Sequence, residues 1–148
     1  MFLRALAAFL ALPGTVAFLV PLWLVREPSA EPFHAVALLP LAVGVFLLLW
    51  CVRDFYVSGK GTLAPWAPPR MLVSGGLYRW SRNPMYLAVG TILFAWAIGF
   101  HSRDLLLYAC VVMVAFHMRV VFGEEPWLSR THGDEWRRYQ SQVPRWLF

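Results

Sequence analysis

Between Ala5 and Val25 the chain runs for 21 residues without a charged side chain, and no other feature narrows its fold so far. A helix rises about 1.5 Å per residue, so this run is long enough to cross a hydrocarbon core of about 30 Å. A second uncharged run extends from Phe33 to Val52, with Arg26, Glu27 and Glu31 in the connection. Met85 to Phe100 and Leu105 to Met118 are shorter apolar runs joined by His101-Ser102-Arg103-Asp104, which reads as a tight helical hairpin. With 59% hydrophobic and 14% charged residues and eight Trp among 148, a water-soluble fold could not hide the apolar surface. The expectation is an all-α polytopic membrane protein with about four transmembrane helices, built as a single membrane domain over residues 1–148. Helices one and two occupy 1–56, a polar motif loop 57–84, the helical hairpin 85–122, and an interfacial helical tail 123–148.

Charge gives the orientation. Five of the 13 basic residues lie between Arg53 and Arg82, beside an apolar span, which is a membrane-orientation signal and not a nucleic-acid footprint. With four crossings, Arg4, that block and the C-terminal arginines share one side, so both termini and the motif loop are expected in the cytoplasm, in an inner-membrane protein. The first run begins like a secretory signal but continues past Ala17 without a polar stop, which favours a retained anchor. Cys51 and Cys110 sit in apolar runs without C-x-x-C or His-x-x-Cys spacing, so neither a disulfide nor a metal site is readable. Thr91, Ala95 and Gly99 recur every fourth residue, a small-residue ridge suited to close helix approach.

The polar segments carry the chemistry. Ser58-Gly59-Lys60-Gly61-Thr62 followed by Pro65, Pro68 and Pro69 excludes a simple helix and leads into Met71-Leu72-Val73. The run Gly75 to Tyr86 then concentrates glycine, tyrosine, arginine and Asn83-Pro84, with Pro84 suited to a first helical turn. In the tail, Gly123 and Pro126 bracket Glu124-Glu125 and predict a break or kink at the end of the fourth helix. Trp127, Leu128, Trp136, Tyr139, Val143 and Trp146 predict a tail that lies on the membrane surface and folds back over the hairpin. A pair of carboxylates could receive an ammonium or ribose hydroxyls, backbone donors around residues 70 to 86 a carboxylate, and the aromatic side chains a base. The bland readings are an interfacial linker, aromatic anchors and a surface helix.

The ordered set Gly61-Thr62, Pro65, Pro68-Pro69, Leu72-Val73, Gly76-x-Tyr78, Arg82-Asn83-Pro84-Met85-Tyr86, Glu124-Glu125, Leu128, Gly133, Tyr139 and Val143-Pro144-Arg145 resembles the isoprenylcysteine carboxyl methyltransferase and phospholipid N-methyltransferase superfamily. That resemblance covers roughly residues 40 to 148. It implies transmembrane helices and S-adenosylmethionine bound in a pocket roofed by the C-terminal segment, in keeping with the lack of G-x-G-x-x-G. By matching positions it implies a cofactor pocket of Arg70, Met71, Leu72, Val73, Tyr78, Arg82, Asn83, Pro84, Met85, Tyr86, Glu124 and Glu125, with a lipid or amphiphilic methyl acceptor. His117 and Arg119 are the candidate catalytic residues. His117 precedes Glu124 by seven residues, which in a continuous helix puts both on one face about 10 Å apart. Asn83 stands where the eukaryotic carboxyl methyltransferases carry His, and Arg119 lies one residue farther from the acid pair than their substrate-contacting Arg. Two other readings stay open: an NADPH-dependent membrane reductase related to the sterol reductases, and a non-catalytic membrane subunit. Neither acceptor identity nor oligomeric state is legible.

Overall fold

Prolines decide how the first apolar run is wound. The computed structural model describes residues 10–25, 32–57 and 71–147, and the regular structure among these is all helical. Helix α1 begins as a wide π-type run, Leu10–Leu19, with Pro13 inside it, and continues as an α-helix over Val20–Leu24. Pro21 has no N–H and so cannot donate to the carbonyls four and five residues back, those of Ala17 and Val16. Two aromatic side chains from elsewhere donate to these carbonyls. Trp96 Nε1 donates to the Ala17 carbonyl at 3.0 Å, and the Tyr108 hydroxyl donates to that of Val16 at 3.1 Å.

A short 3-10 turn, Ala35–Ala37, leads into α2, Leu38–Val57. The helix runs past Val52 to include Arg53 and Asp54, because Arg53 points outward while Asp54 is buried. Helix α3, Pro84–Gly99, is the central element, with nine residues buried and no polar face. Its neighbours approach through glycine. A Cβ on Gly44 of α2 would come within 2.7 Å of Ile92 Cγ1, and one on Gly90 within 2.6 Å of Met113 Sδ in the following helix. On the small-residue ridge Ala95 is fully buried and Gly99 makes room for the Phe33 ring, whereas Thr91 bonds back to the Leu87 carbonyl.

Helix α4, Arg103–Arg119, is capped by the Ser102 hydroxyl, which accepts the Leu105 N–H at 3.3 Å. Its fourth-helix end is not broken as Gly123 and Pro126 predict. The backbone widens into a π-type turn, Val120–Glu124, and continues as α5, Glu125–Gln142. Pro126 in the first turn of α5 lacks the N–H of regular α winding, and the widened turn absorbs this. The bend lies instead at Gly133, whose φ of 51° and ψ of −116° interrupt α5.

Two helical stretches are long and apolar enough to span a membrane: Ala35–Phe55 and the run that starts at Arg103. Pro13–Leu24 and Pro84–Gly99 are apolar but shorter, so full spanning length is met by two of the four expected helices among the described residues. The apolar core gathers Ala17, Leu48, Ala88, Ile92, Leu93 and Ala109. Outside it, Val36, Leu39, Phe46, Leu107, Val111 and Val114 are exposed, an apolar exterior suited to lipid.

Candidate active site

The motif loop is folded around one glycine. Gly76 has a φ of 58°, and the Asp54 carboxylate lies where its Cβ would be, so both conformation and space require glycine. The turn Gly76–Arg79 then carries Tyr78 inward, where burial raises its phenol pKa well above the ordinary value and keeps it neutral. Asn83 occupies the cap position of α3 without capping it. Its Nδ2 donates instead to the Arg145 carbonyl at 2.9 Å.

That bond is one of several that draw the tail onto the loop. The Arg82 N–H donates to the Pro144 carbonyl at 2.9 Å, the Ser81 hydroxyl to that of Arg145 at 3.3 Å, and the Tyr139 hydroxyl to that of Tyr78 at 2.7 Å. The folded-back tail thus covers the loop and the start of α3. Beneath it lies a cleft of about 90 Å³.

Of the residues the sequence picks out, Met71, Leu72, Val73, Tyr78, Arg82, Asn83, Met85, Tyr86 and Glu124 line this cleft. Pro84 is buried at the first turn of α3 and Glu125 stands behind Arg82; neither is on the wall. Arg70 lies outside the described residues, as do Gly61-Thr62 and the prolines at 65, 68 and 69. His117 and Arg119 are not on the wall either. The His117 ring accepts a hydrogen bond from Trp146 Nε1 at 3.3 Å, so it meets the tail's end. The π-type turn between His117 and Glu124 removes the common helical face that seven-residue spacing predicts.

The same turn brings Arg119 and Glu124 together, since five residues make one π-type turn. Arg119 Nε donates to Glu124 Oε1 at 2.8 Å and to the Tyr86 oxygen at 3.2 Å, while the Tyr86 hydroxyl itself donates to Glu124 Oε1. Glu125 faces elsewhere. It accepts Arg82 Nη1 at 2.9 Å and a two-pronged bond from Arg145, both prongs at 2.8 Å. Burial lowers the Arg82 pKa from its ordinary value, with Glu125 opposing, and the bonds to Glu125 raise that of Arg145. Arg82 Nε remains buried without a partner on the cleft wall, and the guanidinium carbon sits 5.6 Å from the Trp136 ring centroid.

Five wall residues were not among the candidates: Phe55, Leu128, His132, Trp136 and Tyr139. Leu128, Trp136 and Tyr139 carry a readable signal in the aromatic and apolar pattern of the tail. Phe55 lies in the last turn of the second expected helix, after the charged pair Arg53-Asp54, and carries no mark of a site, and His132 has no sequence signal. Among the described residues no group of three potential metal ligands occurs.

Comparison with known proteins agrees with this architecture. Residues 32–135 match the family described as phospholipid methyltransferase, and the chain belongs to that family, part of the integral membrane methyltransferase group. The match takes in the motif loop, α3, α4 and both glutamates, and ends one residue before Trp136. A Haemophilus influenzae protein described as uncharacterized is 33% identical over 63 residues, which are 43% of this chain and 100% of that protein. No solved structure matches the chain.

Proposed function

We propose that the cleft binds S-adenosylmethionine and that the protein transfers its methyl group to a lipid or amphiphilic acceptor at the membrane. One observation carries this reading: Tyr86 and Glu124, 38 residues apart, hydrogen-bond on the wall of one cleft that also takes in Met71–Val73 and Arg82. The groups present suit the cofactor. The unpartnered Arg82 Nε–H offers a donor for a carboxylate, Glu124 an acceptor for an ammonium or ribose hydroxyls, and Phe55, Tyr78, Trp136 and Tyr139 apolar faces for a base. Glu125 serves this site indirectly, by holding Arg82 and Arg145, and Pro84 by fixing the start of α3.

When bound, S-adenosylmethionine supplies a methyl group already activated on a sulfonium. The protein's part is to align the acceptor and exclude water. Arg119, bonded to both Glu124 and Tyr86, fixes their orientation at the cleft edge and is thereby less available to hold a carboxylate substrate. Ligand pockets typically enclose about 300 Å³ or more, so entry requires the tail to lift from the 90 Å³ cleft. Gly133 is suited as the hinge, since its backbone already departs from the helix and nothing lies within 4 Å of its Cβ position. The apolar exterior supports lateral arrival of an acceptor's hydrocarbon tail. We assign α1 to α4 to four crossings, tilted or locally thinned at the short helices, with both termini and the cleft cytoplasmic in the inner membrane.

The test is incubation of the purified protein and labelled S-adenosylmethionine with a total lipid extract of the source cell, followed by mass spectrometry. A labelled lipid product is expected. Calorimetry in detergent supplies the opposing outcome: tight NADPH binding with no response to S-adenosylhomocysteine would overturn the methyltransferase reading.

A further inference from the structure

Two polar atoms on residues of the cleft wall are sealed from solvent without a hydrogen-bond partner: Arg82 Nε and His132 Nε2. The first belongs to a permanently charged group already held by Glu125. The second is of another kind, because imidazole is the side chain suited to take up a proton at neutral pH. A buried polar atom left unbonded costs about 1–3 kcal/mol, so such an atom on a residue that lines a cleft calls for a reason.

Its surroundings narrow that reason. The ring of His132 meets Trp127 edge-on, with 6.1 Å between centroids, and the residue directly precedes the bend at Gly133. The ionisable groups that share the cleft are Glu124, Arg82, Tyr78, Tyr86 and Tyr139. Glu124 bonds Tyr86 and Arg119 through Oε1 and in the reading above gives its remaining capacity to the cofactor, Arg82 is held by Glu125, and the Tyr139 hydroxyl by the Tyr78 carbonyl. Tyr78 is kept neutral by burial. His117, the other histidine near the tail, is engaged with Trp146 away from the wall.

We propose that His132 Nε2 takes the proton from an ammonium or thiol acceptor, so that the acceptor attacks the methyl carbon as an amine nitrogen or thiolate sulfur and not as a carboxylate, the sulfonium carbon–sulfur bond breaking as the new bond forms and the thioether leaving. This rests on the methyl-transfer reading above. In the step, an N–H or S–H bond of the acceptor breaks and an Nε2–H bond forms. The electron pair stays on the acceptor atom, and the imidazole becomes imidazolium. The proton passes to water when the tail lifts.

The experiment uses the full chain in nanodiscs and three measurements on wild type and His132→Gln. Calorimetric affinity for S-adenosylhomocysteine is expected to stay within about threefold, which shows an intact cleft in the variant. In histidine nitrogen-15 spectra, the His132 signal, identified by its loss in the variant, is expected to shift when total lipid extract is added to wild type loaded with S-adenosylhomocysteine. With labelled S-adenosylmethionine and the same extract, kcat is expected to fall about 100-fold or more at unchanged KM for the donor. An unmoved His132 signal, or a variant turning over within threefold of wild type, overturns the assignment while leaving methyl transfer in place. Wild type that neither binds S-adenosylhomocysteine nor forms product overturns both.

Discussion

Glu124 and Glu125 are adjacent in the chain but serve different neighbours. Successive helical residues point about 100° apart, so Glu124 turns to Tyr86 and Arg119 while Glu125 is buried between Arg82 and Arg145. Glu125→Ala leaves the 9%-exposed Arg82 unpaired and is expected to destabilise the protein by about 3–5 kcal/mol, read as a lowered unfolding midpoint in detergent. Glu124→Ala breaks a pair whose side chains are 52% and 33% exposed and removes the acceptor of the Tyr86 hydroxyl, so its stability cost is expected at about 1–2 kcal/mol, below that of Glu125→Ala. Its effect should appear as a loss of about 1.5–3 kcal/mol in S-adenosylhomocysteine binding, measured by calorimetry, and equal loss in both assays would contradict this division. The sequence picked out most of this cleft wall because motif residues come in clusters. It did not separate the roles of the glutamates, since their directions depend on the π-type turn before them, nor did it find His132, one polar side chain among many on an amphipathic tail.

At the scale of elements, proline and glycine were legible as punctuation while their consequences were not. Pro84 starts α3 as expected, because a first-turn proline removes no needed hydrogen bond. Gly123 and Pro126 were expected to break a helix, but the chain widened one turn and kept going, and the bend fell at Gly133. Arg53 and Asp54 end the second uncharged run, yet lie inside the helix, as the expected limit near residue 56 allows. The helix continues because Asp54 finds a place against the glycine turn, a contact between residues 22 apart. Gly76→Ala is therefore expected to lower stability by at least about 1–2 kcal/mol from left-handed backbone strain alone, with the carboxylate contact adding to it. Trp96→Phe keeps an aromatic ring but removes the donor to the Ala17 carbonyl, and a loss of about 1–3 kcal/mol is expected in denaturant unfolding. If Trp96→Phe unfolds like wild type, that carbonyl has another donor.

For the whole molecule, the all-helical membrane character was legible from uncharged runs alone, because no contact information is needed to recognise them. The shortness of α3 was legible too, but the way the tail returns to the loop depends on bonds between distant residues that no local pattern encodes. Arg145 joins the tail to both Glu125 and, through its carbonyl, to Asn83 and Ser81. Arg145→Ala is expected to speed proteolytic cleavage of the tail and raise amide exchange at Arg82, whose N–H bonds to Pro144. Unchanged protection would mean that the aromatic contacts of Trp136 and Tyr139 suffice. The far side of the assembly imposes a different demand. Until α3 and α4 deliver Trp96 and Tyr108, the Ala17 and Val16 carbonyls of α1 lack these two donors. A chain halted after α2 would lack both, so α1 is expected to take its final place only once the later hairpin has emerged.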